Sequence, residues 1–268
     1  MNFRSLAAIV LSVSILFTVT SCDKEPVDER PELPPVESMV MDFSDFAEPA
    51  GGAKGTLTTY ANFTYSYLTV GVMNFAAAIV TVLPLTAYAV ALQQTPVYVG
   101  DLTWEWSFDF PLNNVNYTAT LTGARINNQE FSMEMVIAFA ASPDTGVKWF
   151  DGVVRYDHTR ATWTIYKNGT TGVLEIEWNN DFVTEEADLT YTLTDPEHAE
   201  NGSYISLAYM SDEFFDAAYT VSLVAGMTNI EWNTTTIEGR VKAPVHFGDD
   251  AWHCWDTQAN GLMDKVCD

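Results

Sequence analysis

Leu102-Thr-Trp-Glu-Trp-Ser-Phe-Asp-Phe110 decides the fold. Leu102, Trp104, Trp106, Phe108 and Phe110 alternate with Thr103, Glu105, Ser107 and Asp109, so an extended chain presents an aromatic face and a polar face. That is the pattern of a β-strand with one wet side. Tyr98 and Asp101 continue the two faces backward, and the spacing predicts a single first strand from about residue 98 to 110. The alternation returns in Tyr117 to Leu121, Phe131 to Phe139, Val147 to Tyr156, Trp163 with Ile165, Leu174 to Trp178 and Leu189 to Leu193. Further runs cover Tyr204 to Tyr209, Ala218 to Leu223, Asn229 to Trp232 and Thr236 to Val241. Turn signals part them: Asn113-Asn114, Asn127-Asn128, the stretch from Pro143 to Gly146, Asn168-Gly169 and Asn201-Gly202. Short connections of this kind join antiparallel neighbours.

About ten such strands, each apolar on one side, must curl around something or pair with a second sheet. Tyr65 to Leu92 supplies the filling, being almost wholly apolar apart from Asn74 and several threonines. Its length is that of a membrane span. Asn74 within it, Pro84 as a helix breaker and the lack of flanking basic residues favour one kinked helix or two short ones buried by protein. A membrane-spanning helix is the competing reading. The expected fold is therefore mainly β: an antiparallel meander over residues 96–245 forming a curved sheet or open barrel around a hydrophobic helical segment within residues 51–95. A two-sheet sandwich with the helix packed outside is the alternative.

The N-terminus carries an address. Arg4, the apolar run Leu6 to Val19 and the small residues before Cys22 form a secretory signal over residues 1–21. The way this segment closes at Cys22 resembles the lipobox of bacterial lipoproteins. The resemblance implies that Cys22 becomes the mature N-terminus, carries palmitate or similar acyl chains, and ties the chain to a membrane. An ordinary signal peptide on a soluble secreted protein is the alternative. Asp23-Lys24-Glu25 resembles the signal that sends lipoproteins of the Bacteroides group to the outer face of the cell. The implied location is the bacterial outer membrane, on its periplasmic or cell-surface side. Pro26, Pro31, Pro34 and Pro35 among acidic residues make the stretch 22–50 read as a stiff, solvated tether. From about residue 56 to 245 the pattern is similar to the half-open β-barrels of the LolA and LolB lipoprotein carriers, which hold acyl chains beneath helices. No motif is matched residue by residue.

Charge narrows the partners. The chain has 12 basic and 36 acidic residues, and removing residues 1–21 takes away Arg4 and no acid, leaving 11 minus 36, or −25. So acidic a surface repels phosphate backbones, which excludes nucleic acid as a partner. With Cys22 assigned to lipid, Cys254 and Cys267 remain as an even pair in an exported chain, and a disulfide pinning a C-terminal tail over residues 246–268 is the economical reading. Free thiols or a metal pair is the other.

Catalytic signatures are sparse. There is no Gly-x-Ser-x-Gly elbow, no His-Glu-x-x-His and no phosphate-binding glycine loop, and no cofactor is expected. Glu175 and Glu177 form the best carboxylate pair, on one face of a strand at about 7 Å, a separation that glycosidases use, in a run that faintly resembles the acidic strand of β-jelly-roll glycoside hydrolases. They lie opposite Leu174, Ile176 and Trp178, so an apolar core on that side leaves them facing water. Trp104, Trp106, Trp163 and Trp178 fall on apolar faces and read as core. Trp149, which shares a face with Asp151 and Arg155, is the tryptophan best placed for a ligand. Asp256, Gln258, Asn260, Gly261 and Asp264 partly resemble a calcium loop, with Cys267 where the bidentate glutamate belongs. His246 and His253 beside aspartates are weaker zinc candidates. The expected function is that of a non-enzymatic, lipid-anchored module binding an envelope protein or a hydrophobic ligand. The alternative is a surface lipoprotein that binds or cleaves glycans.

Overall fold

One-faced strands of this kind build a single antiparallel sheet. The computed structural model describes residues 30–41, 43, 60–211, 213–258 and 261–267. Its strands are β1 (Val97–Gly100), β2 (Thr103–Leu112), β3 (Val115–Arg125), β4 (Glu130–Phe139), β5 (Val147–Arg155), β6 (Arg160–Lys167) and β7 (Thr171–Asp181). They continue through β8 (Glu186–Leu193), β9 (Tyr204–Tyr209), β10 (Ala217–Leu223), β11 (Gly226–Trp232), β12 (Gly239–Lys242), β13 (His253–Gln258) and β14 (Gly261–Lys265). Every strand pairs with its neighbours in sequence, and β1 does not pair with β14, so the sheet is open.

Among the described residues fourteen strands replace the expected ten or so. The first expected strand is a hairpin: Asp101 and Leu102 take left-handed conformations (φ 49° and 56°) and fold Tyr98 back onto Trp104. A leucine in that position is a poor turn signal, which is why the alternation reads straight through it. Asn113 and Asn114, also left-handed, make the turn that their sequence announces. At the other end, the expected tail contains the β13–β14 hairpin, and the Cys254–Cys267 disulfide ties β13 to the residues just past β14.

The helix α1 (Ala61–Ala91) packs against β2 near one end of the sheet and β12, β13 and β14 at the other. Tyr88 projects from it to the middle strands, its ring 6.0 Å from those of Phe150 in β5 and Trp163 in β6. The sheet therefore curls until one helix stands between its ends, as expected of an open barrel and not of a sandwich. The helix bends by 44° between Ala61–Asn74 and Ala76–Ala91, a turn after Gly71 and well before Pro84. Pro84 thus sits buried within the second portion and does not place the bend.

Asp264 in β14 fixes the start of α1. Its carboxylate accepts the backbone N–H groups of Ala61 (2.9 Å) and Asn62 (3.1 Å), two donors that a helix start leaves unpaired. The Asn62 amide donates in turn to the Cys254 carbonyl, and Phe63 meets the buried Trp255 edge-on.

A correction concerns the tether. Of the stretch 22–50, residues 31–41 pack inside the curl, with Pro31, Pro34, Ser38, Met39 and Met41 buried. Backbone carried into an aromatic interior must find hydrogen bonds. Trp163 Nε1 donates to the Ser38 carbonyl (3.0 Å) and the Tyr88 hydroxyl to the Pro34 carbonyl (2.7 Å). Tyr191 Oη donates to the Met39 carbonyl and accepts the Met41 N–H, both at 2.8 Å. The proline-rich, acidic composition that suggests a solvated linker serves here as an extended strap, its few apolar residues turned into the core.

Replacing Tyr191→Phe leaves two buried backbone groups unpaired and is expected to lower stability by about 2 kcal/mol in urea unfolding. Burial also pushes the Tyr191 hydroxyl up to about 12 and the Tyr88 hydroxyl well above its ordinary value. A folded-state pKa above the unfolded value of about 10 gives stability that is complete below pH 10 and is lost as pH rises toward 12 and beyond. Denaturation at pH 8 to 11.5 is expected to show that alkaline loss, and Tyr191→Phe to show less of it.

Candidate functional surfaces

The inner face of the sheet is a packed core. Trp163, Trp232, Trp255, Tyr88, Tyr219, Phe131, Phe150, Met39, Leu121, Met133 and Met135 are all less than 2% exposed. Trp104, Trp106 and Trp178 are buried as expected. What is left for function lies outside, in two sectors of opposite character.

The first is polar. Outward residues align across the strands in the row Glu105, Thr122, Glu134, Asp151, Thr164, Glu175, Thr192. A neighbouring row runs Ala124, Ser132, Val153, Thr162, Glu177, Thr190, Ser206. Between β3 and β6 these rows line an open groove of about 530 Å³, walled by Thr122, Ser132, Glu134, Asp151, Thr162 and Thr164. Gly152 forms part of its floor, where a side chain would meet the Thr162 carbonyl and the Trp163 ring. Asp151 is held at one wall by Lys148 (2.5 Å) and by the Tyr166 hydroxyl (2.9 Å to Oδ2), with the ammonium 4.1 Å above the Tyr166 ring centre. The Asp151 hydrogen bond raises the Lys148 pKa, and burial first, then Asp151, raises that of Tyr166. The cluster is thus a fixed, charge-compensated edge of the groove.

Sequence reasoning missed that cluster because a β-bulge opposite Met135 and Val136 shifts β5 out of simple alternation. Trp149, the extra residue of that bulge, is half-buried and packs against the core, while Asp151 lines the groove. Two successive aromatics, Trp149-Phe150, were the available signal. Glu175 and Glu177 do share the wet face and are exposed. Glu177 is taken by Arg160 at 2.7 Å, and neither glutamate lines the groove.

The second sector is apolar. Phe63, Ser66, Val70, Thr81, Pro84, Ala87, Tyr88 and Ala91 face inward on α1. On the opposite side Leu68, Val72, Ile79 and Val82 form an exposed stripe, Ile79 being 65% exposed. The segment expected to be buried all round is therefore covered on one side only. Val97, Tyr98 and Val99 of the edge strand β1 are exposed as well, Val97 at 66%. Among the described residues no single helix is long and apolar enough to cross a membrane, although the two portions of α1 taken together have the length and composition of a bent span.

The metal candidates do not assemble. Both oxygens of Asp264 are engaged by the start of α1, and Asn260 lies outside the described residues. His253 bonds Asp249 at 3.0 Å and stacks on Phe247, while His246 stacks on Tyr65. Among the described residues no three such side chains gather as a metal site. Cys22 also lies outside the described residues. The chain matches no family model, no curated protein and no solved structure.

Titration calorimetry with calcium is expected to give no binding heat. Asp264→Ala is expected to lower stability by about 1 kcal/mol, the cost of a lost helix cap, without changing that heat. Calcium heat that vanishes in the variant would restore the metal reading.

Proposed function

We propose that this chain is a lipid-anchored protein of the bacterial outer membrane that acts without catalysis, as an interaction module working through its exterior. The observation that carries this reading is the division of surfaces: aromatic side chains and the strap at residues 31–41 occupy the inside of the curl, while α1 and β1 leave apolar side chains outside. A ligand held as LolA-type carriers hold acyl chains needs an interior groove, so the packed interior favours an external partner over an enclosed one. The lipobox resemblance at Cys22 supports the anchor, and a net charge of −25 after removal of residues 1–21 suits a domain kept soluble at the end of a lipid.

The polar groove supports a second reading, a surface that binds glycans. Its Ser and Thr hydroxyls can donate to and accept from sugar hydroxyls, and the facing carboxylates Glu134 and Asp151 can accept from them.

Expression with labelled palmitate is expected to label the protein and leave it in the membrane fraction, and Cys22→Ala to abolish labelling and release it. Retention of the unlabelled variant in the membrane fraction after carbonate washing contradicts the anchor reading and favours a span through α1. Binding on a glycan array that is lost in Glu134→Ala favours the second reading.

A further inference from the structure

We infer that the outer stripe of α1, together with the edge strand β1, rests on the boundary of the same bilayer that holds the Cys22 lipid. This inference rests on the anchor reading above.

Reach comes first. Because residues 31–41 are inside the curl, eight residue steps, not the whole stretch 22–50, separate Cys22 from the domain at Arg30. Eight extended residues span at most about 28 Å. The point of entry is next to the apolar sector: the Pro31 ring lies against Gly123 of β3, and Gly123 pairs with Trp104 of β2, which pairs with Tyr98 of β1. Two strand spacings, about 10 Å, thus separate the end of the tether from the exposed edge strand.

Charge comes second. From Gly55 to Gly100 the chain has no Asp, Glu, Lys, Arg or His, in a protein with 36 acids. The rest of the sheet exterior carries Glu105, Glu134, Asp151, Glu175 and Glu177, which anionic headgroups repel. A domain held within about 28 Å of a bilayer turns its neutral sector toward it.

Third, the serine and threonine hydroxyls of α1 are already spent, and Asn74 is the exposed amide left at its bend. Thr64, Ser66, Thr69, Thr81 and Thr86 each donate to the carbonyl four residues earlier, so these hydroxyls need no water. A helix with one committed face and one neutral apolar face lies in the interface, its outer side chains reaching the acyl boundary. The free edge of β1 stays at headgroup level, where water reaches its backbone.

The test uses the lipidated full-length mature protein in phosphatidylcholine vesicles containing nitroxide-labelled lipid. Environment-sensitive fluorophores are placed through Ile79→Cys, Val99→Cys and, on the polar face, Thr192→Cys, each with the fold checked by circular dichroism. The expected result is co-flotation with vesicles and lipid quenching several-fold stronger at positions 79 and 99 than at 192. Co-flotation with equal quenching at all three positions overturns the inference and leaves the anchor standing. Fluorophores at 79 that quench one another with rising protein density, untouched by lipid nitroxide, overturn it in favour of a second copy on this face. Failure to float overturns the anchor reading and this inference together.

Discussion

Tyr88 joins the parts on which the fold depends. Its ring fills the space between α1 and the middle of the sheet, and its hydroxyl bonds the Pro34 carbonyl of the strap. Among the described residues fourteen strands form one sheet whose apolar face is covered in part by α1 and in part by the strap at residues 31–41. The strap brings peptide groups into a place without water. Tyr88, Trp163 and Tyr191 resolve the conflict, being large apolar bodies with one polar tip each. Their tips bond strap carbonyls, and Tyr191 also takes a strap N–H.

The sheet was legible because its signal is repeated: alternation and asparagine or glycine turns recur strand after strand, and local and global preferences agree. The failures fall where they part. Leu102 takes a left-handed turn that its side chain disfavours, hiding the β1–β2 hairpin. Residues 31–41 have a linker's composition and a core's position, and no periodicity reveals the buried Ser38, Met39 and Met41 among prolines. The acids of the last hairpin look like cation ligands, yet Asp264 answers the backbone of a helix some two hundred residues earlier in the chain. Such long-range capping leaves no local pattern. For the candidate sites, composition located the neutral segment but could not tell that only half of it is covered, and a bulge at Trp149 interrupts the alternation that assigns its face.

The two ways of covering the sheet differ in what they permit. A helix serving as a detachable lid needs weak contacts and a cavity beneath it. Here α1 is fastened at its start by Asp264 and by the Asn62 amide on Cys254, next to the disulfide, and along its length by Phe63 on Trp255 and Tyr88 on Trp163. Lifting it would expose aromatic core and leave the Pro34 carbonyl without its hydroxyl partner. The helix belongs to the folded core, which assigns any exchange of partners to its outer side.

That outer side would be a hazard on a neutral protein, because an apolar stripe beside an exposed edge strand invites copies to associate. Net charge opposes it. Bringing two chains of net charge −24 face to face costs energy at long range, whatever their contact surfaces gain at short range. A neutral bilayer boundary imposes no such penalty on the stripe, and an anionic one imposes it least where the chain has no charge at all. The acidic exterior and the uncharged sector are complementary devices: the first keeps the apolar face from its own copies, and the second leaves it open to a partner without charge.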